Sequence, residues 1–362
     1  MKKMILALFV MLAAMPAHAD ITIGVAGPLT GENAFMGEQL RHGVEQAVLD
    51  INASGGVNGE KLVLQFADDA CDPKQAVSVA NKMASAGIKF VVGHGCSGAS
   101  IPASKVYNEE QIFMITPSSS NPALTDSGYN TIFRTYGRDD QQGAFIADYI
   151  LKHYRDKKLA LANDKSAWGR GMVDVLKKDL NNAGMQESLF ESFNQGDRDF
   201  SSLITKFKQA GIQVAFVAGY STEAGLIVRQ LKEQKADIQV IGGDAIFTNQ
   251  FWSVTGPTGE GVLMSCGADP RKLPEAQEAL AKLRKAGFEP EGYTLNAYAA
   301  VQVIADGIKR AGVDPVKVAA ALRQAPVKTV IGSINYDAKG DMSHPAFSMY
   351  RWHNGSYAET GE

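Results

Sequence analysis

The chain has 362 residues, 45% hydrophobic and 21% charged, with 36 glycines and 3 cysteines; this is a globular composition that excludes disorder, collagen and disulfide-dense miniature scaffolds. At about 100–200 residues per domain, the length implies about two domains. The formal net charge of −3 shows no basic excess, so neither nucleic acid nor an anionic membrane surface is expected as a partner.

Lys2 and Lys3 precede an apolar run from Met4 to Met15, which is followed by Ala17-His18-Ala19. A positive start, a short apolar stretch and a small-x-small site make a secretory signal peptide. No stretch reaches the roughly 20 apolar residues that span a bilayer, and no cysteine stands at the cleavage point to take a lipid. Residues 1–19 are therefore expected to be removed, leaving a soluble, exported protein that starts at Asp20.

From Ile21 onward, apolar runs alternate with amphipathic stretches, the rhythm of an α/β protein with parallel sheets. Strands are predicted at Ile21–Ala26, Leu62–Ala67, Phe90–Val92 and Ile112–Ile115. Leu40, Val44, Ala47, Val48 and Ile51 recur at helical spacing between the first two, and Gly55-Gly56 ends that helix. Asp72-Pro73 opens the next helix in cap-then-first-turn order, and Gly87 closes it. A second series follows: helix Gln142–Tyr154, strand Leu159–Ala162, helices Gly169–Leu180 and Phe200–Ala210, strand Val214–Ala218, helix Glu223–Lys232 and strand Gln239–Ile241. Two such series imply two doubly wound, Rossmann-like lobes.

The tail breaks the alternation with helices Asn296–Lys309 and Pro315–Arg323, then a hairpin-like stretch turning at Asp337-Ala338-Lys339-Gly340. Short extended segments at Phe133–Tyr136, Leu263–Gly267 and Phe347–Tyr350 fall where the chain changes character and are expected to be the interlobe crossings. The lobes would then be residues 20–138 with 267–346, and 139–266 with 347–362, joined by a hinge of several strands.

Export places the cysteines in an oxidising compartment. Cys71 and Cys96 each follow a strand-like run, so both would lie at one edge of one sheet, and they are expected to be bonded. Cys266 reads as a buried, unpaired thiol at a strand end.

Gly93-His94-Gly95-Cys96-Ser97-Gly98 matches the G-x-G-x-x-G dinucleotide pattern. The next strand should then end in an acidic residue for the ribose, yet it runs into Thr116-Pro117-Ser118. A glycine-rich turn at a helix start suits a smaller anion, a carboxylate, by the same N–H geometry. The sequence contains no nucleophile elbow, P-loop or metal-ligand spacing, so neither enzymatic activity nor a cofactor or metal is expected. The hydroxyl-rich loop Thr116–Pro122 should lie beside the glycine turn, at the strand ends where open parallel sheets hold ligands. From the second lobe, Gly219-Tyr220 and Gly242-Gly243-Asp244 leave strands at the equivalent edge. Hydroxyls and N–H groups facing a carboxylate and a phenol suit a zwitterion.

Asp68-Asp69-Ala70-Cys71-Asp72-Pro73-Lys74-Gln75-Ala76-Val77, Gly93-His94 with Cys96-Ser97, Met114-Ile115-Thr116-Pro117-Ser118, Asp164-Lys165 with Gly169, and Tyr336-Asp337 through Lys339-Gly340-Asp341 resemble segments of the periplasmic branched-chain amino-acid (Leu/Ile/Val) binding proteins of ABC transporters. The resemblance runs from about Ile21 to about Trp352. It implies a type I periplasmic binding fold with a three-strand hinge, a Cys71–Cys96 bond, and a monomer that passes a free amino acid to an inner-membrane ABC permease. Ser97, Ser118 and Ser120 would meet the ligand head, Asp244 its amine, and Tyr220 would close over it. Cys96 and Ser119, in the same two loops, are also expected to contact the ligand. The sequence departs from the family pattern in several places: the anchoring acid Asp244 stands for a glutamate, and at the side-chain end Met36 stands for a tyrosine, Gly95 for a larger aliphatic residue, Trp168 for a tyrosine and Tyr293 for a phenylalanine. Met36, Gly95, Trp168, Tyr220 and Tyr293 are expected to form an apolar wall, with Gly95 opening volume. Leucine or a bulkier apolar residue should then beat valine. An exported ligand sensor, or a binder of another small carboxylate such as an aromatic acid, are the alternative readings.

Overall fold

The computed structural model describes residues 20–361; the expected signal peptide, residues 1–19, lies outside the described residues. Five strands, β1 (Ile21–Gly27), β2 (Leu62–Asp68), β3 (Phe90–Gly93), β4 (Phe113–Thr116) and β5 (Ile132–Arg134), form a parallel sheet in the order β2-β1-β3-β4-β5. In the second sheet, β6 (Leu159–Asn163), β7 (Leu189–Ser192), β8 (Val214–Ala218), β9 (Gln239–Gly242) and β10 (Leu263–Gly267) run parallel in the order β7-β6-β8-β9-β10. A two-stranded ribbon, β11 (Val327–Thr329) and β12 (Gly332–Ile334), precedes β13 (Phe347–His353) and β14 (Ser356–Glu359). These last two extend the second sheet beyond β10 with antiparallel pairing. The second sheet is therefore parallel over five strands, as expected, with an antiparallel pair added at one edge. The chain re-enters it from the other lobe and not through a helical crossover, so it runs back along β10.

The crossover helices of the first series are α1 (Ala34–Ala53), α2 (Pro73–Ser85), α3 (Ser97–Glu109) and the short α4 (Ala123–Asp126); those of the second are α5 (Asp139–Tyr154), α6 (Ala167–Asn182), α7 (Ser201–Ala210), α8 (Ser221–Glu233) and α9 (Asn249–Thr255). Then α10 (Gln277–Lys285), α11 (Thr294–Ala311) and α12 (Pro315–Gln324) pack back onto the first lobe. Their starts are encoded locally. The Asp72 carboxylate accepts from Gln75 N at 2.8 Å with Pro73 in the first turn, and Asp314-Pro315 repeats the device for α12. Strands β3, β4, β6 and β8 are buried along their whole length, because helices cover both sheet faces. Val79, Met83, Val91 and Tyr107 fill one side of the first sheet, and Val25, Leu40, Val44 and Phe113 the other. Each such large side chain contributes about 1.5–3 kcal/mol by burial.

The three segments expected to cross between lobes lie mostly within sheet strands: β5, β10 and β13. Pairing satisfies their backbone groups, and the chain changes sheets just after β5 and β10 and just before β13. The first passage is braced where Thr135 Oγ1 donates to Asn296 O at 2.9 Å and Asn296 Nδ2 donates to Thr135 O. The tail turn forms as expected, with Gly340 N donating to Asp337 O at 3.2 Å. Gly340 sits at φ +91°, and a Cβ there would lie 2.2 Å from Ile132 O, so only glycine fits. Asp341, next in line, reaches Arg134 Nε at 2.6 Å and Arg138 Nη1 at 2.8 Å, clamping the tail to the first passage. Cys71 and Cys96 are bonded, with Cα atoms 5.5 Å apart, and Cys266 is free and buried in β10. Among the described residues, no helix is long and apolar enough to cross a membrane.

Candidate ligand-binding site

At the carboxyl edge of the first sheet, Gly93 ends β3 at φ +134°, where a Cβ would lie 2.0 Å from Ala26 O. Glycine is required for the turn that follows. Buried His94 supports that turn: Nδ1 lies 2.6 Å from Asp69 Oδ2, Nε2 lies 3.0 Å from Tyr107 Oη, and its carbonyl accepts from Thr116 Oγ1 at 2.7 Å. The two loops are then stitched together, since Ser118 Oγ donates to Gly95 O at 2.7 Å and Ser97 Oγ accepts from Asn121 N at 3.3 Å. Ser97 is the first residue of α3, whose opening N–H groups face the loop end. Ser120 is buried, and its hydroxyl has no hydrogen-bond partner.

Two further residues expected at the ligand also make structural contacts. The Ser119 hydroxyl pairs with Ser100 Oγ at 2.6 Å and so braces the loop. The Cys96 sulfur is spent in the disulfide, and its residue occupies the cap position of α3.

On the second lobe, Asp244 opens a 3-10 turn directly after β9. Trp168, at the start of α6, lies against Tyr220 with ring centres 5.4 Å apart. A Cβ on Gly243 would come within 3.0 Å of the Trp168 ring, so that glycine lets the indole settle over the turn. Met36 belongs to the same buried cluster as Trp168 and Tyr220. A Cβ on Gly95 would lie 3.0 Å from Pro28 Cδ and 4.0 Å from Ser118 Oγ. Tyr293 is not simply apolar wall: it sits edge-on to Tyr136 at 5.3 Å, and its hydroxyl donates to Asp244 Oδ2 at 2.6 Å.

Polar contacts join the lobes around this site. Asn121 Nδ2 donates to Ala167 O at 2.8 Å, and Glu291 accepts from Asn249 N at 2.7 Å and from Thr248 Oγ1 at 3.0 Å. Gln39 reaches Thr248, and Glu32 pairs with Arg198.

The electrostatics are governed by burial. Desolvation pushes the Asp244 carboxyl up to about 6, although Tyr293, Tyr136 and Gln142 favour its charged form; its Oδ1 has no partner. Asp139, the first residue of α5, is pushed up to about 8 by burial and by the Asp244 charge, against the pull of Ser120 and Arg134. Asp139, Gln142, Tyr136, Asn121 and Glu291 escaped the reading of the sequence. An acid in a first helical turn reads as a partner for the helix dipole, and only tertiary burial distinguishes Asp139 from its exposed counterparts.

A sequence profile described as "Periplasmic binding protein" matches residues 20–356. The chain is 48% identical over 342 residues to "Leu/Ile/Val-binding protein homolog 1" of Brucella melitensis, covering 94% of this chain and 92% of that protein. Among solved structures, an ABC transporter substrate-binding protein from Desulfitobacterium hafniense in complex with Leu is 27% identical, with a TM-score of 0.78 over 94% of this chain and 99% of that one. A leucine binding protein from Thermotoga maritima has the same fold, with a TM-score of 0.86 at 24% identity, covering 94% of this chain and 97% of that one.

Proposed function

The chain belongs to the periplasmic binding protein family, and we propose that it captures a free hydrophobic amino acid, branched-chain or larger, between its two lobes and delivers it to an inner-membrane ABC permease. The observation that carries this reading is Asp244: a buried carboxylate with a free Oδ1, across the cleft from hydroxyls and helix N–H groups. A ligand carboxylate binds Ser97, Ser118, Ser120 and the start of α3, and the ammonium binds Asp244. The side chain lies among Met36, Gly95, Trp168 and Tyr220. Relatives named for Leu, Ile and Val and a Leu-bound neighbour support the ligand class.

In this reading residues 20–138 with 267–346 close against 139–266 with 347–362 by bending at the three passages. The protein is exported with loss of residues 1–19, acts as a monomer in the periplasm, and turns over no substrate. A carboxylate-only ligand, such as an aromatic acid, would add a negative charge beside the buried Asp244 and bring no cation to compensate it, so an amine-bearing ligand is favoured.

Calorimetry against the twenty amino acids and benzoate tests the reading. Leucine or phenylalanine should bind more tightly than valine, since each methylene is worth about 1–3 kcal/mol in discrimination, with glutamate, lysine and benzoate weak. Tightest binding of a charged amino acid, of glycine or of benzoate overturns it. Bound ligand recovered chemically altered would overturn the non-enzymatic assignment.

A further inference from the structure

We propose that Asp139 is a second carboxylate of the amine subsite, protonated when the site is empty and ionised when an ammonium is bound, so that ligand capture releases a proton. This rests on the amino-acid reading above and adds a residue and a coupled proton to it.

The geometry is a cluster of oxygens short of donors. Asp139 is fully buried, and no hydrogen bond of good geometry reaches either carboxylate oxygen; the nearby Ser120 hydroxyl and Arg134 are the neighbours that favour its charged form. Its backbone N–H donates to Ser120 O at 2.9 Å, which places it directly behind the hydroxyl loop. One turn along α5, Gln142 donates Nε2 to Ser265 O at 2.9 Å, leaving its Oε1 unpartnered. Asp244 Oδ1 is unpartnered as well. An ammonium group carries three donors and no acceptor, the complement of this set.

No protein cation is committed to Asp139. Arg134, from β5, directs Nε to Asp341 and its Nη atoms to Ser119 O, Asn121 O and Thr125 Oγ1. Arg138 spends its guanidinium on Asp126, Asp140 and Asp341. The remaining groups facing Asp139 are Asp244 from the turn after β9, Asp140 on its own helix, and Tyr220 at the start of α8; none is a cation. Two neighbouring buried carboxylates without a counter-ion do not both ionise, and the carboxyls of Asp139 and Asp244 stand raised to about 8 and about 6. The arriving ammonium supplies the missing charge. The Asp139 O–H bond breaks, the proton passes to solvent, and the carboxylate accepts from the ligand N–H. Affinity then rises with pH, by as much as about tenfold per unit up to the pH where empty Asp139 ionises by itself.

The test is calorimetric titration with leucine near neutral pH in buffers of different ionisation enthalpy. Wild type should release close to one proton per leucine. Asp139→Asn should release none and should lose the tenfold-per-unit pH dependence between about pH 6 and 8. Leucine binding with buffer-independent heats in wild type, or release persisting in Asp139→Asn, overturns the role of Asp139 while leaving the amino-acid reading intact. If no amino acid binds wild type, both fall. Should the variant fail to fold, infrared difference spectra of wild type decide: leucine should abolish the C=O stretch of a protonated carboxyl, and a spectrum without that loss overturns the proposal.

Discussion

The Tyr293 hydroxyl donates to Asp244 Oδ2 at 2.6 Å, joining the start of α11 to the turn after β9 across the cleft. The phenol occupies one oxygen of the acid and leaves Oδ1 free, and it makes lobe contact depend on the ionisation of that acid. Tyr293→Phe removes this bond. Hydrogen bonds to charged groups contribute about 1.5–3 kcal/mol, so leucine should bind about tenfold more weakly, and the ligand-free protein should scatter as a more open particle. An unchanged affinity and radius of gyration would show the bond to be incidental.

Asp244→Asn keeps the shape and removes the charge. Loss of one partner from a buried charge pair costs about 2–5 kcal/mol, so affinity for free amino acids should fall at least tenfold by calorimetry. N-acetyl-leucine should not bind even the wild type. Equal binding of free and acetylated leucine would refute an amine anchored on Asp244.

Stability of the ligand-free protein should depend on Asp139 with a definite sign. Its folded value of about 8 lies above the ordinary 3.8, so between those limits the native state holds a proton that the unfolded chain has lost. The stability contribution therefore declines as pH rises toward 8, at about 1.4 kcal/mol per unit. Asp139→Asn removes this decline. In urea unfolding without ligand, the variant should gain on wild type steadily from pH 5 to pH 8. A difference that stays constant over that range contradicts a buried, cation-free carboxyl.

Asp341 compensates two arginines of the first passage, one of them, Arg134, with no solvent exposure. Asp341→Asn leaves a buried guanidinium short of its counter-charge, a loss of about 3–5 kcal/mol for such pairs. Urea unfolding should show this. A loss below about 1 kcal/mol, the range of surface pairs, would mean the clamp is dispensable.

The Cys71–Cys96 bond closes a 25-residue separation, worth about 3.5 kcal/mol in the chain-entropy account. Exported protein should have the mass of residues 20–362 less two hydrogens, and after unfolding it should alkylate at Cys266 alone. Three reactive thiols would refute the pairing in solution, and full-length mass would refute cleavage after Ala19.

Local sequence determined what depends on local physics. Period and caps set the crossover helices, as Asp72-Pro73 does for α2, and continuous apolar runs set the buried strands β3, β4, β6 and β8. The strand ends carrying Gly93, Thr116 and Asp244 were legible too, because open parallel sheets hold ligands at their carboxyl edges. Half-exposed edge elements such as β7 and the charge-rich α10 left a weaker pattern and were passed over. What only the tertiary structure decided is which polar groups are buried and what they face. Ser118, Ser119 and Ser120 are adjacent and chemically alike, yet one hydroxyl stitches the loops, one braces Ser100, and one is left without a partner. Asp139 and Asp140 are neighbours in one helical turn, yet burial raises the first carboxyl while Arg138 lowers the second. Proton affinity and hydrogen-bond partnership are set by desolvation and by charges brought together from distant parts of the chain, and no local pattern records those.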